Sequence, residues 1–215
     1  MNEAATDTAY NKMLELIFSK QFMPGEKISE NVLVEKLNLS RTPIRHALKQ
    51  LENDGLVDIC PKCYTSIAKY TDDYIKQIGI VRVGLDITAV NLAILNGSNA
   101  DFARLEKIHM DSYKALENNN IELKIVYDCD FHQEISNISK NEILKKLQKE
   151  VYLKVRFIMT HADFEKNDKL RSLNMHDKLL RSLKDRDQIN AIRCVKQHLY
   201  DFYNLSDELT NITYI

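Results

Sequence analysis

Four side chains in the second half of the sequence have the chemical types of a transition-metal site. Asp128 and His132 lie four residues apart in YDCDFHQEI, so on a helix both would project from one face. His176, in SLNMHDKLL, and His198, in CVKQHLYDF, each fall in a further helical segment. A helical bundle can gather side chains from three facing helices around one ion, and three imidazoles with one carboxylate suit Zn²⁺, Ni²⁺, Mn²⁺ or Fe²⁺.

The spacing of these residues also allows other interpretations. An Asp and a His four apart often form a surface pair, and a lone His on a helix is commonly structural. An open metal held by three imidazoles and a carboxylate would also suit hydrolysis or oxygen chemistry, which makes a metalloenzyme the rival class. No separate general base is evident in the sequence, and this absence favours a binding role over catalysis.

A second chemical signal is a row of cations near the N-terminus. The stretch from Lys36 to Leu51 contains no acidic residue, and on a helix Arg45 and Lys49 lie four apart with Arg41 extending the same line. The opposite face carries three apolar residues, Ile44, Leu48 and Leu51. A helix anchored by that apolar face would present its cations outward.

Such a helix fits the major groove of DNA, where Arg can donate two hydrogen bonds to the O6 and N7 of guanine. The hydroxyls of Ser40 and Thr42, beside the start of the helix, suit phosphate contacts that set the register. A row of charge is often only a solvated face. The neighbouring elements favour the DNA-binding interpretation.

Cys60 and Cys63 form a CPKC motif with the spacing of a zinc knuckle or a redox dithiol. A thiol-responsive regulator is therefore a further alternative. A single CxxC is a weak signal, because the other two cysteines, Cys129 and Cys194, lie far along the chain. In a chain without a secretory signal, the four cysteines are expected to be reduced thiols.

The elements that position the cationic row are predicted in residues 1–70. Apolar spacing predicts helices over 8–20 and 29–37, the second capped by Ser29. Thr42 and Pro43 provide cap chemistry for a third helix that ends near 53–55. The runs LVDI and TSIAKY predict two strands around the turn CPKCY. Val32, Leu33 and Leu37 are expected to face inward. The order helix, helix, helix, hairpin predicts a winged helix-turn-helix.

Residues 71–215 show no strand-like alternation. Polar breaks at NGSNAD, ENNN, SNISKN, FEKND and KDRD divide this region into six predicted helices, which start near residues 72, 99, 122, 141, 167 and 187. With 44% apolar residues but only five glycines and three prolines, the chain has too few turn formers for an all-β fold. The predicted fold is mainly α, with an all-α bundle after the winged helix.

Net charge and the hydropathy of the apolar segments limit which binding partners and which cellular location are expected. The balance of 30 basic and 31 acidic residues gives no global field that would attract nucleic acid or an anionic membrane, so a DNA-binding surface must be local. No apolar run is expected to approach the length of a membrane span, and MNEAATDTAY lacks the layout of a signal peptide. A cytoplasmic protein with no membrane partner is expected.

The segment PGEKISENVLVEKLNLSRTPIRHALKQLENDGLV resembles the winged helix-turn-helix signature of the GntR family of bacterial regulators. The resemblance implies that Arg41 and Arg45 contact bases, that Ser40 and Thr42 contact phosphates, and that the wing enters the minor groove. Lys49 extends the cationic row, and Lys62 stands at the wing tip where the family usually has Gly. His46 and Asn31 also depart from the family pattern, which leaves the operator sequence open.

The region from about 72 to 210 is similar to the FCD sensor domain of the FadR branch, through RVGLDITAV, DCDFHQEISNISKN, the His of NMHDKLL and the His of KQHL. In metal-binding members these positions supply one Asp and three His, here Asp128, His132, His176 and His198. Six helices resemble the shorter, VanR-like version, with Asp86 in place of the usual Glu. The resemblance implies one divalent metal per chain, zinc first among the candidates.

The same resemblance implies a small carboxylate effector, a homodimer and a palindromic operator. A metal with open positions together with an Arg is a sound carboxylate receptor, because the ion accepts an oxygen while the guanidinium donates two hydrogen bonds. Arg82, within the matched motif, and Arg156, within a predicted core helix, are the candidates for that Arg. Either could instead be a surface or interface residue.

Overall fold

The computed structural model describes residues 3–60, 63–162 and 166–205. The chain divides into two compact units, Met1–Thr71 and Asp72–Ile215. The first contains short helices and a small sheet, and the second is entirely helical in its described part. The predicted fold class is therefore confirmed: a mainly α protein whose winged helix precedes a helical bundle.

The elements of the first unit follow the predicted order, with one additional strand. They are α1 (Glu3–Phe18), β1 (Lys27–Ile28), α2 (Glu30–Leu37), α3 (Arg41–Asn53), β2 (Val57–Cys60) and β3 (Tyr64–Ile67). The three strands form an antiparallel sheet in the order β1-β3-β2. A strand of two residues is too short to show an alternation, and the sequence pattern therefore missed β1.

Local chemistry explains the ends of these helices. The Ser29 hydroxyl accepts a hydrogen bond from the Val32 N–H and so caps α2, as predicted. Ser40, and not the predicted Thr42, occupies the cap position of α3. After α3, Gly55 adopts a φ of 78°, a conformation that favours glycine and turns the chain into β2.

The second unit consists, in its described part, of six helices, the predicted number. They are α4 (Asp72–Asn96), α5 (Asn99–Glu117), α6 (Ile121–Ile138), α7 (Glu142–His161), α8 (Lys166–Lys184) and α9 (Gln188–Tyr203). The polar breaks supply the caps of four helices through Ser98, Asn120, Asn141 and Asp187, whose side chains each accept from a backbone N–H of the first turn. The polar breaks that divide the predicted helices therefore also contain the residues that cap them.

Helix α4 lies in the core of this unit. It packs against α6, α7, α8 and α9, and buried residues from it join one apolar cluster with residues of the other helices. By length and composition alone α4 could also cross a membrane, so the expectation that no segment reaches that length was wrong. Half of its most apolar window is buried within the protein, and Arg82 and Asp86 form a buried ion pair on it. We interpret α4 as the core helix of a helical bundle.

Candidate functional site

The four predicted metal-ligating side chains meet at one point inside the second unit. Asp128 and His132 extend from α6, His176 from α8 and His198 from α9. One ligand atom of each lies within 4.8 Å of those of the other three. All four are buried, with exposed fractions between 1% and 8%. They form one group that could hold a metal ion.

The spacing of the imidazole nitrogens fits a first-row metal. The Nε2 atoms of His132 and His176 are 3.1 Å apart, and those of His176 and His198 are 3.4 Å apart. Ligand bonds of about 2.0–2.1 Å at tetrahedral angles place neighbouring nitrogens roughly 3.3–3.4 Å apart. Three converging nitrogens, two pairs of them near this separation, with a carboxylate beside them, are a donor set for a borderline or soft divalent ion rather than for Ca²⁺ or Mg²⁺.

Burial keeps the imidazoles of His176 and His198 in the neutral form that binds metals. It lowers the pKa of His198 to about 3, and the charges of His132 and Arg82 act in the same direction. Burial also holds the pKa of His176 well below its ordinary value. Burial alone would raise the pKa of Asp128, but the Lys124 ammonium and the surrounding imidazoles hold that pKa well below its usual range. The Asp128 carboxylate and the imidazoles of His176 and His198 are thus in their ligating states at neutral pH.

Two residues that the sequence analysis missed hold Asp128 in place. Lys124, one helical turn before it on α6, donates from Nζ to Asp128 Oδ1 over 2.7 Å, and Ser172 Oγ donates to the same oxygen over 2.9 Å. Lys124 is only 2% exposed. The four-residue spacing of Lys124 and Asp128 was visible in the sequence, but the burial of the ammonium group was not.

A second carboxylate faces the other side of the His132 ring. Asp86 Oδ2 lies 3.3 Å from His132 Nδ1. Asp86 also accepts hydrogen bonds from Gln148 Nε2 and from the Tyr152 hydroxyl, each over 2.7 Å. Arg82 Nε lies 3.4 Å from the same Oδ2 and donates to the Tyr152 oxygen over 2.9 Å. Helices α4 and α7 therefore supply a buried polar network beside the three ligand-bearing helices.

The two predicted effector-binding arginines lie in different surroundings. Arg82 is 1% exposed, and its Nη1 donates to the Tyr203 hydroxyl over 3.3 Å, whereas its Nη2 is buried with no hydrogen-bond partner. Arg156 is half-buried on α7, and its positive charge acts on the pKa of Asp130, which is not one of the four clustered residues. Arg82 is joined to the cluster through Asp86.

A fourth histidine also lies in this core. His109 of α5 is 1% exposed, and its Nε2 is 2.9 Å from Asp177 Oδ1. Its ring lies edge-on to the His176 ring, with centroids 6.0 Å apart. His109 lies in no recognisable sequence motif, and in the structure its ring packs beside a clustered imidazole.

In the first unit, α3 presents the predicted cationic face. Ile44, Leu48 and Leu51 are buried, as expected from the apolar spacing, whereas the predicted DNA-contacting residues of α3 and its cap are exposed: Ser40, Arg41, Thr42, Arg45 and Lys49. Of the apolar residues expected to face inward on α2, Leu33 and Leu37 are buried, but Val32 is 46% exposed. The prediction for Val32 was therefore wrong, because the short α2 turns that side chain toward solvent.

Each exposed cation of α3 has a local partner in the protein alone. Arg45 Nε lies 2.9 Å from both carboxylate oxygens of Glu30, whose charge raises the pKa of Arg45. Arg41 Nη2 donates to Asn31, and Lys49 Nζ to Glu52. The stretch without acidic residues therefore receives Glu30 from the preceding helix. Exposed ion pairs of this kind contribute little and exchange readily for phosphate or base contacts.

The strand ends bring the two wing cysteines together. The Cys63 N–H donates to the Cys60 carbonyl over 3.0 Å, and Cys60 pairs with Tyr64 across the sheet. A hydrogen bond between the two thiols raises the pKa of Cys60. Cys60 is half-buried and Cys63 is exposed. Lys62, the predicted wing contact, lies outside the described residues.

Comparison with known families agrees with this architecture. The profile of the FCD domain matches residues 77–201, and that of the bacterial regulatory proteins of the gntR family matches residues 5–63. The first match covers more than half of the chain and contains all four clustered residues. The fold and the family matches thus define a DNA-binding transcriptional regulator with a helical FCD domain. The chain belongs to the GntR-family regulators that carry an FCD domain.

Individual relatives support the same assignment. The HTH-type transcriptional regulator YdhC of Bacillus subtilis is 29% identical over 198 residues, which cover 91% of this chain and 86% of that protein. The Nta operon transcriptional regulator of Aminobacter aminovorans is 27% identical over 139 residues, which cover 65% of this chain and 66% of that protein. The McbR/YncC structure from Escherichia coli has a TM-score of 0.81 at 20% identity and covers 98% of this chain and 99% of its own. These relatives are transcriptional regulators, which favours the regulator over the metalloenzyme alternative.

Proposed function

We propose that this protein is a metal-dependent, carboxylate-responsive regulator that binds operator DNA as a homodimer in the cytoplasm. Residues 1–70 would bind the DNA, and residues 71–215 would bind the effector and form the dimer. The observation that carries the proposal is the convergence of Asp128, His132, His176 and His198 within one buried group. Three buried imidazoles and a carboxylate that converge in this way are a donor set that a divalent cation would complete.

The proposed metal is one divalent ion per chain, zinc first, with nickel, manganese and iron as the other candidates. Three nitrogens and one oxygen match the ligand preferences of these ions. When bound, the ion would offer remaining coordination positions to an oxygen of the effector. The pKa depression of His176 and His198 favours this role, because protons would not compete with the metal at neutral pH.

The proposed effector is a small carboxylate, and Arg82 is its expected protein contact. Arg82 is buried in the core, yet its Nη2 has no hydrogen-bond partner. Leaving a buried charged donor unpaired is unfavourable, so an anionic ligand that accepts from Nη2 would be stabilised. Arg156, half-buried on α7, remains the second candidate.

Helix α4 provides a route from the effector to the DNA-binding unit. It begins at Asp72, directly after the last residue of the first unit, and it carries Arg82 and Asp86. A helix rises about 1.5 Å per residue, so the two residues lie roughly 15 to 20 Å along α4 from its start. We infer that effector binding shifts α4 and thereby changes the spacing of the two winged helices on a palindromic operator.

The proposed DNA contacts are Ser40, Arg41, Thr42, Arg45 and Lys49, with Lys62 at the wing. The test uses a duplex selected from a random pool by the parent protein, with anisotropy measured at one fixed salt concentration. Arg45→Ala should weaken binding by about 1–3 kcal/mol, since it would remove a bidentate base contact. Lys107→Ala, an exposed change in the helical unit, is the matched control. Equal affinities for the Arg45 variant and the parent would contradict the assignment of α3.

The metal proposal is tested by elemental analysis and zinc titration of the full chain. The parent should bind one equivalent, and His176→Ala should lose most of that affinity, whereas His46→Ala, which changes an exposed histidine, should retain it. The effector proposal is tested by adding acetate, lactate, succinate and citrate to the protein–DNA complex. A parent protein that binds no stoichiometric metal, or equal zinc affinity in the two variants, would overturn the proposed metal centre.

A thiol-responsive wing is the second candidate function, favoured by the closeness of Cys60 and Cys63, whose backbones are joined by the hydrogen bond from the Cys63 N–H to the Cys60 carbonyl over 3.0 Å. Oxidation by a disulfide reagent would join the two sulfurs, with two electrons and two protons passing to the reagent. DNA affinity should then change in the parent but not in the Cys60→Ser/Cys63→Ser variant. An affinity that oxidation leaves unchanged in the parent would dispose of this candidate.

A further inference from the structure

Asp86 is placed to control which nitrogen of His132 carries the proton. Its Oδ2 lies 3.3 Å from His132 Nδ1, whereas His132 Nε2 faces the imidazole of His176 in the cluster. A neutral imidazole has one N–H, and the nitrogen next to a carboxylate acceptor keeps it. The proton is thereby held on Nδ1, and the lone pair of Nε2 points to the proposed ion.

The Asp86 carboxylate is itself fixed from two helices. Gln148 and Tyr152 of α7 donate to its two oxygens, each over 2.7 Å, and Arg82 of α4 lies 3.4 Å from Oδ2. Asp86 is 2% exposed, so water does not compete for these contacts. A carboxylate held by three donors cannot follow a rotation of the His132 ring and therefore restrains the ring instead.

The other clustered imidazoles do not all have such a restraint. The Nδ1 atom of His176 is buried with no hydrogen-bond partner. Its ring is instead stacked on Phe131, with centroids 4.5 Å apart. The ring of His176 is thus positioned by packing, whereas His132 is positioned by a charged acceptor.

We propose that Asp86 is a positioning residue of the metal centre, which orients His132, fixes its tautomer and increases its basicity toward the ion. The inference rests on the proposed metal-binding function and adds a residue from α4 to the three ligand-bearing helices. Carboxylates that accept from a metal-bound imidazole commonly strengthen metal binding, and their loss costs about 10- to 100-fold in affinity. Gln148 and Tyr152 act through Asp86.

The test measures zinc affinity of the full chain by competition with a chromophoric chelator. Asp86→Asn should weaken zinc binding about 10- to 100-fold while the stoichiometry stays at one, and Asp86→Glu, which keeps a carboxylate, should recover part of the loss. Asp177→Asn is the matched control, because it changes another carboxylate that contacts a buried imidazole, that of His109, which is not in the cluster. Its zinc affinity should equal that of the parent.

A second readout uses the metal-free protein and does not depend on metal binding. In a long-range ¹H–¹⁵N spectrum, His132 should be protonated on Nδ1 in the parent and should show a changed tautomer population in Asp86→Asn. A His132 proton on Nε2 in the parent would overturn the inference. Asp128→Asn, which removes a proposed ligand, should abolish zinc binding. If it does so while Asp86→Asn binds zinc as tightly as the parent, the inference is also overturned. If the parent binds no zinc, the proposed metal centre fails, and the spectrum still decides whether Asp86 sets the tautomer.

Discussion

Acid should destabilise the metal-free helical unit well above the pH at which carboxylates titrate. The pKa of His198 is lowered by burial from the ordinary 6.5 to about 3 in the folded state. Because the folded pKa lies below the unfolded one, the stabilising contribution of neutral His198 is complete above pH 6.5 and is lost as the pH falls toward 3. His176 acts in the same direction, since its pKa is also depressed by burial.

The magnitude follows from the difference between the pH and the unfolded pKa. Each unit of pKa difference is worth about 1.4 kcal/mol, so between pH 7 and pH 5 His198 alone should remove about 2 kcal/mol from the free energy of unfolding. For a unit of this size the loss corresponds to a fall of roughly 4 to 8 °C in Tm. The pKa of Asp128 is also lowered, so its contribution to stability begins to be lost only when the pH falls to about 4, the ordinary pKa of an Asp side chain.

The assay is thermal and urea unfolding of chelator-treated protein at pH 7, 6 and 5, followed by far-UV circular dichroism. His198→Gln should reduce the difference between pH 7 and pH 5 by about 2 kcal/mol, because it removes the titrating group. His46→Gln, which changes an exposed histidine on α3, should leave that difference unchanged. An unfolding midpoint that does not move between pH 7 and pH 5 would refute the electrostatic account of the cluster.

Three further outcomes are expected from stability measurements. Gly79→Ala should destabilise the helical unit by about 1–3 kcal/mol in urea unfolding, because a Cβ there would lie 2.5 Å from the Tyr203 ring. Gly84→Ala is the control on the same helix. Its Cβ would meet open space, so this change should be neutral or stabilising. Lys124→Met should lower the free energy of unfolding of metal-free protein by about 3–5 kcal/mol, because it leaves Asp128 without its cation. Zinc should restore part of that stability. Equal losses with and without zinc would contradict this prediction. Zinc at 100-fold above its Kd should add about 2.7 kcal/mol to the stability of the parent, and a chelator should reverse the gain.

Much of the helical framework was predictable, because helix boundaries are set locally. The polar breaks contain Ser98, Asn120, Asn141 and Asp187, and each of these residues caps the helix that follows. The cap of α3 was misassigned to Thr42, since two hydroxyl residues flank Arg41 and either could have served. Strand β1 was not predicted, because its two residues are extended only through their pairing with β3.

The candidate ligands were predictable from residue type and family resemblance, but their surroundings were not. Asp86 meets Gln148 and Tyr152, which lie 62 and 66 residues further along the chain. Similarly, Glu30 meets Arg45 only because α2 folds beside α3. Contacts between distant residues leave no periodic pattern, and a single sequence therefore shows the reacting groups without the neighbours that tune them.

The placement of the ligands on α6, α8 and α9 gives the proposed ion a role as a cross-link. It would join His132 to His176 and His176 to His198, which are 44 and 22 residues apart. Closing such loops restricts the unfolded chain and slows the escape of α8 from the bundle. Cells that run short of the metal would then degrade the regulator faster, so its abundance, and not only its affinity for the operator, would follow metal supply.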